Sequence, residues 1–121
     1  MGIFDGRLMT MISEECDLES FIDAIKDLTY HEVLTITLKE GYATDDLIVH
    51  KKRDGAADEE LESISEYNKA LRDFIFLLQT GQRPDLSTEG DRENYHKFRR
   101  VAKSLVERGE LLPAILNYLD D

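Results

Sequence analysis

The longest periodic pattern of apolar residues lies between positions 58 and 79. Apolar side chains recur there at intervals of three, four and seven residues, which places them on one stripe of an α-helix. The members of the stripe are Leu61, Ile64, Leu71, Ile75 and Leu78. Tyr67 and Phe74 widen the stripe to the face of a helix that packs in a bundle. We therefore predict a central helix at 58–79, roughly 33 Å long.

Similar patterns predict helices before and after this segment. Residues 14–28 carry apolar side chains at helical spacing and acidic side chains near their start, where the helix dipole favours them. Residues 91–108 repeat the pattern, and residues 110–119 form a short final helix. The polar, turn-rich stretch at 81–90 predicts a loop.

The segment between the first and the central helix carries two conflicting patterns. Residues 33–50 begin with alternating apolar and polar side chains, which is typical of a β-hairpin. Helix end signals favour the other interpretation, because a capping-box spacing starts at Thr29 and Gly41 stands where a C-terminal glycine would. We therefore predict two helices, at 30–40 and 45–53, and keep the hairpin as the variant.

These patterns together predict one all-α domain over residues 1–121, a compact bundle of five to six helices around the central helix. A chain of 121 residues with 41% hydrophobic content is large enough for a single core. Residues 1–12 show no clear period. We expect them to form an N-terminal arm that is either flexible or docked on the core through Ile3 and Phe4.

Composition bears on location and on partners. No apolar run approaches the roughly 18 residues that span a bilayer, and the first residues lack the pattern of a signal peptide. The lone Cys16 excludes an internal disulfide and a multi-cysteine zinc site. We therefore expect a cytoplasmic protein that does not bind membranes.

The net charge of −11 disfavours nucleic acid as a partner, because the chain as a whole repels phosphates. Solubility alone accounts for such a charge. The other interpretation is an acidic surface that receives a basic partner, such as an inhibitor that covers a nucleic-acid-binding site.

Positive charge is concentrated at 91–108, which holds six basic and three acidic side chains. This segment therefore has a net charge of +3, and the remainder of the chain has a net charge of −14. Five side chains of this segment fall within an arc of about 100° on a helix. We call them the basic ribbon: Arg92, His96, Arg99, Arg100 and Lys103. The ribbon either pairs with acids inside the protein or forms a binding strip for an anion or for an acidic surface of a partner. The acids available to it lie on the helix predicted at 14–28 or on a stripe of the central helix. We call this stripe the acid stripe: Glu59, Glu62, Glu66 and Asp73.

Three residues of the central helix bear on the oligomeric state. Asn68 interrupts the apolar stripe, and a buried asparagine fixes register and partner number in coiled coils. Phe76 and Leu77 lie off the stripe, so that this end of the helix is apolar nearly all round. The three residues therefore mark either a homodimer seam or a core polar site in which Asn68 bonds within one subunit, to Tyr95, His96 or a loop backbone.

Catalytic and metal chemistry have weaker support. Glu93 and His96 form one Glu-x-x-His spacing, whereas a di-metal bundle needs two. The acid stripe resembles a Mg²⁺ site only if Asp23 and Asp27 supply a second acid pair. Cys16 lies among acidic residues that raise the pKa of its thiol, which favours an inert side chain. We therefore expect no catalytic residue, no metal and no cofactor.

The favoured function is a small acidic interaction or regulatory protein without catalytic activity, which binds a protein partner through charged helical faces. The first alternative is an all-α, Mg²⁺-dependent enzyme of the nucleotide pyrophosphohydrolase kind. The second is a helix-turn-helix DNA-binding regulator at 30–53. It is disfavoured because Asp45 and Asp46 would lie in the first turn of the recognition helix, where they would face DNA phosphates.

Overall fold

The computed structural model describes residues 16–119, and every regular element in this range is a helix. The six helices are α1 (Leu18–Ile25), α2 (Tyr30–Arg53), α3 (Asp58–Thr80), α4 (Glu89–His96), α5 (Arg99–Glu107) and α6 (Ile115–Tyr118). The predicted all-α bundle is confirmed, and the predicted N-terminal arm lies outside the described residues. None of the helices in 16–119 is both long enough and apolar enough to span a membrane.

The central helix is α3, as predicted. It packs against α2 on one side and against α4 on another. Its stripe residues Leu71 and Phe74 are fully buried. It ends at Gly81, whose left-handed backbone (φ 70°) is favourable for glycine because no Cβ clashes with the following carbonyl.

Residues 30–53 form one continuous helix, so both the predicted break after residue 40 and the β-hairpin within 33–50 are wrong. The predicted capping box is present: the Glu32 N–H donates to the Thr29 hydroxyl (3.2 Å), and the Thr29 N–H donates to the Glu32 carboxylate (3.0 Å). The helix continues through Gly41 and stops before Gly55, which has the left-handed backbone expected of a C-terminal glycine. The turn that a helix-turn-helix requires is therefore absent from 30–53.

The α2–α3 pair is an antiparallel hairpin in which the buried side of α2 is small and largely polar. Its buried residues are Val33, Thr37, Glu40, Gly41, Ala43 and Thr44. Both threonine hydroxyls donate to carbonyls four residues earlier, at 2.6 Å. The Tyr67 hydroxyl of α3 donates to the Glu40 carboxylate. The polar groups are thus satisfied on burial, as stability requires.

An aromatic cluster joins α1 and the turn between α4 and α5 to α3. Phe98 stacks on Phe74 with ring centroids 4.1 Å apart, and it meets Phe21 of α1 edge-on at 6.5 Å. Phe21 also meets Tyr67 edge-on at 6.4 Å. Such pairs contribute about 0.5–1.5 kcal/mol beyond their buried area.

The C-terminal part differs from the sequence prediction in its boundaries. The helix predicted at 91–108 is interrupted at Lys97 and Phe98, where the backbone N–H of Phe98 bonds three residues back, to Tyr95. This turn places the fully buried Phe98 ring in the aromatic cluster. The final helix is limited to Ile115–Tyr118, and Glu110 instead accepts a hydrogen bond from the Tyr30 N–H at 2.6 Å.

Substitution of Gly41 by alanine tests the continuity of α2. A Cβ at this position would meet only the Ile75 side chain, at an ordinary contact distance of 3.8 Å. Because glycine inside a helix costs roughly 0.5–1 kcal/mol relative to alanine, we expect Gly41→Ala to raise the free energy of unfolding by about that amount. Urea denaturation measures it.

The matched control is Gly55→Ala, because Gly55 has φ 78° and open space around it. There we expect a loss of stability of about 1 kcal/mol, since an L side chain is strained in this conformation. Destabilisation by Gly41→Ala of the same size would contradict the continuous helix.

Candidate functional site

The structure divides the basic ribbon between two helices. Arg92 and His96 lie on α4, whereas Arg99, Arg100 and Lys103 lie on α5, beyond the interruption. Arg92, His96 and Lys103 are exposed, and Arg99 is half-buried and engaged in a contact. The five side chains therefore do not share one uninterrupted helical face.

Arg100 pairs with acids inside the protein. Its Nη2 lies 2.5 Å from Glu19 Oε1 and its Nη1 lies 2.9 Å from Asp23 Oδ1, both on α1. The internal interpretation of the ribbon thus holds for this residue, and of the two predicted acidic partners it is the first helix, α1, that supplies the acids. The consequence is a clamp between α1 and α5.

The acid stripe is also divided. Three members are exposed on α3: Glu59, Glu62 and Glu66. Asp73 is buried, and Lys69 Nζ lies 2.9 Å from both of its carboxylate oxygens and 3.8 Å from Asp91 Oδ2. Burial raises the pKa of Asp73, Lys69 counteracts this effect, and the nearby Asp91 and Asp85 carboxylates add to it.

Side chains suited to metal binding are dispersed in the described part of the chain. Across 16–119, no three histidine, cysteine, aspartate or glutamate side chains lie close enough together to hold a metal ion. Glu93 and His96 are exposed on α4, and Asp23, a member of the hypothetical second acid pair, binds Arg100.

Cys16 has a raised thiol pKa, as predicted from the sequence, but the cause is different. The main cause is burial, the buried Glu40 carboxylate adds to it, and Lys51 counteracts it. A raised pKa lowers the fraction of thiolate, which is the nucleophilic form. The raised pKa therefore disfavours a nucleophilic role for this thiol.

Asn68 is a buried polar residue whose observed partners lie in the same chain. Its amide nitrogen donates to the Gly41 carbonyl (3.2 Å) and to Asp45 Oδ1 (3.1 Å). Its amide oxygen accepts from Arg72 Nε at 2.8 Å, and Arg72 Nη2 donates to Asp45 Oδ1 at 2.6 Å. Asn68 therefore joins α3 to α2 within one chain, and these partners differ from the predicted Tyr95, His96 and loop backbone.

Phe76 and Leu77 have different surroundings. Leu77 is fully buried in the core, whereas Phe76 is 41% exposed. Phe76 borders a groove of about 240 Å³ between α2 and α3. The groove is lined by Leu38, Gly41, Tyr42, Asp45, Arg72, Ile75, Phe76 and Gln79.

The surface around this groove exposes large apolar side chains. Tyr42 is 64% exposed and Val49 is 51% exposed. They share one side of α2 with Leu38, because the positions are four and seven residues apart. Val49 lies beyond the groove, about two helical turns from Tyr42. We call the surface formed by Leu38, Tyr42, Ile75 and Phe76 the outer α2–α3 face. The charged side chains that line the groove, Asp45 and Arg72, pair with each other, so the lining has no net charge.

Sequence reasoning identified Phe76 but missed Tyr42 and Val49, because it placed a turn at 41–43. A signal was available in the composition of 30–53. If this segment is one helix, its apolar side chains are too many for one buried face. Those left half-buried or exposed are Leu34, Ile36, Leu38, Tyr42, Leu47, Ile48 and Val49.

No protein-family model, no curated protein and no solved structure matches this chain.

Charge reversal at Arg100 and at Lys103 separates internal pairing from surface charge. We expect Arg100→Glu to lower the free energy of unfolding by about 1 kcal/mol, because it places a third carboxylate beside Glu19 and Asp23 at a half-exposed site. Lys103→Glu makes the same change of charge on the same helix and should stay within about 0.5 kcal/mol of the wild type. Equal effects in urea denaturation would contradict the clamp.

The stability lost by Asp73→Asn and the stability lost by Glu32→Gln should change with pH in opposite directions. The pKa of Asp73 is raised on folding above its ordinary value of 3.8. The stability that the Asp73 carboxyl contributes is therefore complete below pH 3.8 and is lost as the pH rises through the pKa of the folded state. The hydrogen bonds from Thr29 lower the pKa of Glu32 below its ordinary value of 4.5. The stability that the Glu32 carboxylate contributes is therefore present above pH 4.5 and is lost as the pH falls through the pKa of the folded state.

Urea denaturation from about pH 3 to pH 7 measures both effects. The wild-type free energy of unfolding minus that of Asp73→Asn should fall as pH rises. The same difference for Glu32→Gln should rise. A common sign for the two variants would show that one of the assignments is wrong.

Proposed function

We propose that this chain is a small acidic protein-interaction module without catalytic activity, and that it binds its partner through the outer α2–α3 face. The observation that supports the proposal is the exposure of two aromatic side chains, Tyr42 and Phe76, at one groove. Contiguous exposed apolar patches with polar rims mark interaction sites. The cytoplasmic location expected from the lone cysteine is part of the proposal.

The chemistry of the face supports a role in protein binding. Aromatic and arginine side chains dominate the binding energy of protein interfaces, and the groove at this face is lined by Tyr42, Phe76 and Arg72 together. Arg72 is held by Asn68 and Asp45, so it is ordered before a partner arrives. Preorganised side chains lose less conformational entropy on binding.

The exposed members of the basic ribbon are a weaker candidate for the same function. Arg92, His96 and Lys103 remain accessible, but α4 and α5 present them on separate helices. The enzyme alternative lacks a supporting observation, because Glu59, Glu62 and Glu66 are exposed on α3 while Asp23 pairs with Arg100.

Site-specific photo-crosslinking tests the proposed face. A photoreactive phenylalanine analogue at position 42 or 76, in extract of the source organism, should capture one protein that mass spectrometry identifies at both positions. The same analogue at position 112 is the matched control, because Leu112 is 75% exposed and lies outside the face. Capture at 112 but not at 42 or 76 would contradict the proposed surface.

The purified partner then serves for a quantitative test. We expect Phe76→Asp to weaken its binding at least tenfold, as loss of an aromatic anchor does. A double Arg92→Glu/Lys103→Glu variant should bind nearly as tightly as the wild type, and the reverse pattern would place the interface on the basic ribbon. Mg²⁺- or Mn²⁺-dependent hydrolysis of a nucleoside triphosphate would overturn the absence of catalytic activity.

A further inference from the structure

We propose that the partner segment received by the outer α2–α3 face is an amphipathic α-helix whose apolar side is flanked by lysine or arginine side chains. This inference rests on the function proposed above and specifies the chemistry of the partner. Three observations support it: the shape of the groove, the arrangement of the exposed apolar residues and the negative net charge of the chain.

The shape of the groove fits a helix. The groove lies between two antiparallel helices, and a third helix commonly packs into such a depression through side chains at i, i+3, i+4 and i+7. At the groove, the apolar side chains Leu38 and Tyr42 lie one turn apart on α2. Val49 lies on the same side of the helix about two turns further on, beyond Asp45. A strand would require a sheet edge, and residues 16–119 form no sheet.

The charge of the protein favours a basic partner. The chain carries −11, so a second copy would add another −11, and an acidic segment would also be repelled. A basic segment is attracted from a distance and is oriented on approach. The apolar face, whose lining charges cancel, then provides the contact area.

A carboxylate at the groove provides a contact for the basic flank. The Asp45 side chain is 43% exposed and is held in place by Arg72 and Asn68. Asp46 follows it on the same helix with a side chain that is 45% exposed. Arg72 already pairs with Asp45, and His50 Nδ1 lies 3.5 Å from Asp46 Oδ2, but both carboxylates keep exposed surface. A lysine or arginine beside the apolar side of the docked helix contacts this exposed surface while its alkyl chain packs on Tyr42.

The test uses three designed, fluorescein-labelled peptides of about 18 residues, which is five helical turns. The first has leucine at helical spacing and lysine elsewhere. The second has glutamate in place of lysine. The third has the composition of the first in an order that gives no apolar face. Fluorescence anisotropy should show that the first peptide binds most tightly and that the second does not bind.

The decisive variants are Tyr42→Asp and Phe76→Asp, with Leu112→Asp as the control. Each adds one negative charge, which by itself would strengthen the attraction of a basic peptide. A loss of affinity can therefore come only from the lost apolar contact. We expect the first two to weaken binding of the leucine–lysine peptide at least tenfold and the control to leave it within about threefold. Thermal denaturation verifies folding, and Phe76→Ala replaces any variant that unfolds.

Three results would overturn the inference. Equal binding of all three variants would show that the peptide is held by charge alone. Tight binding of the leucine–glutamate peptide would refute the basic flank. The third result is self-association of the wild type in sedimentation, if Phe76→Asp abolishes it and added salt strengthens it. This result would identify a second copy as the occupant. Salt weakens the binding of a basic partner, whereas it screens the repulsion between two acidic copies and so favours their association.

The two proposals fail in different ways. If crosslinking from positions 42 and 76 captures a partner whose docking segment is acidic or not helical, the interaction function stands and the inference about the partner falls. If a partner crosslinks only at position 112, the proposed surface fails whatever the peptides do.

Discussion

The arrangement of the whole domain depends on the burial of a polar side of α2 against α3. An unpaired buried hydroxyl or carboxylate destabilises a fold by several kcal/mol in an apolar setting. In this protein Thr37 and Thr44 bond to their own helix, and Glu40 accepts from Tyr67. Asn68 binds the Gly41 carbonyl, so hydrogen-bond partners fix the rotation of α2 about its axis.

The same rotation leaves apolar side chains outside. With its polar side inward, α2 leaves Tyr42 exposed at the groove that Phe76 of α3 also lines, and it leaves Val49 exposed further along the helix. An apolar side chain costs free energy when it stays in water, at about 25 cal/mol per Å². The outer α2–α3 face is therefore a surface whose burial by a partner would be favourable, which links the packing of the hairpin to the proposed function.

Three basic side chains are engaged in ion pairs within the domain, and the acidic surface comes from the excess of acids in the sequence. Arg100 holds α1, Arg72 spans the groove to Asp45, and Lys69 neutralises the buried Asp73. Each of these contacts is intramolecular and uses an acidic side chain as well, so pairing leaves the net charge unchanged. With 15 basic and 26 acidic side chains in the chain, the acids left over belong largely to the surface, where they steer a basic partner.

The sequence by itself determined the helical class, the central helix and most core residues, because periodic apolar stripes such as that of α3 reflect local geometry alone. It also located the start of α2, since a capping box acts within one turn. Only the tertiary structure decided that α2 continues through Gly41, because glycine costs a helix about 1 kcal/mol and packing outweighs so small a preference. The partners of Arg100 and the exposure of Tyr42 were likewise decided by contacts between helices distant in sequence, which no local pattern records.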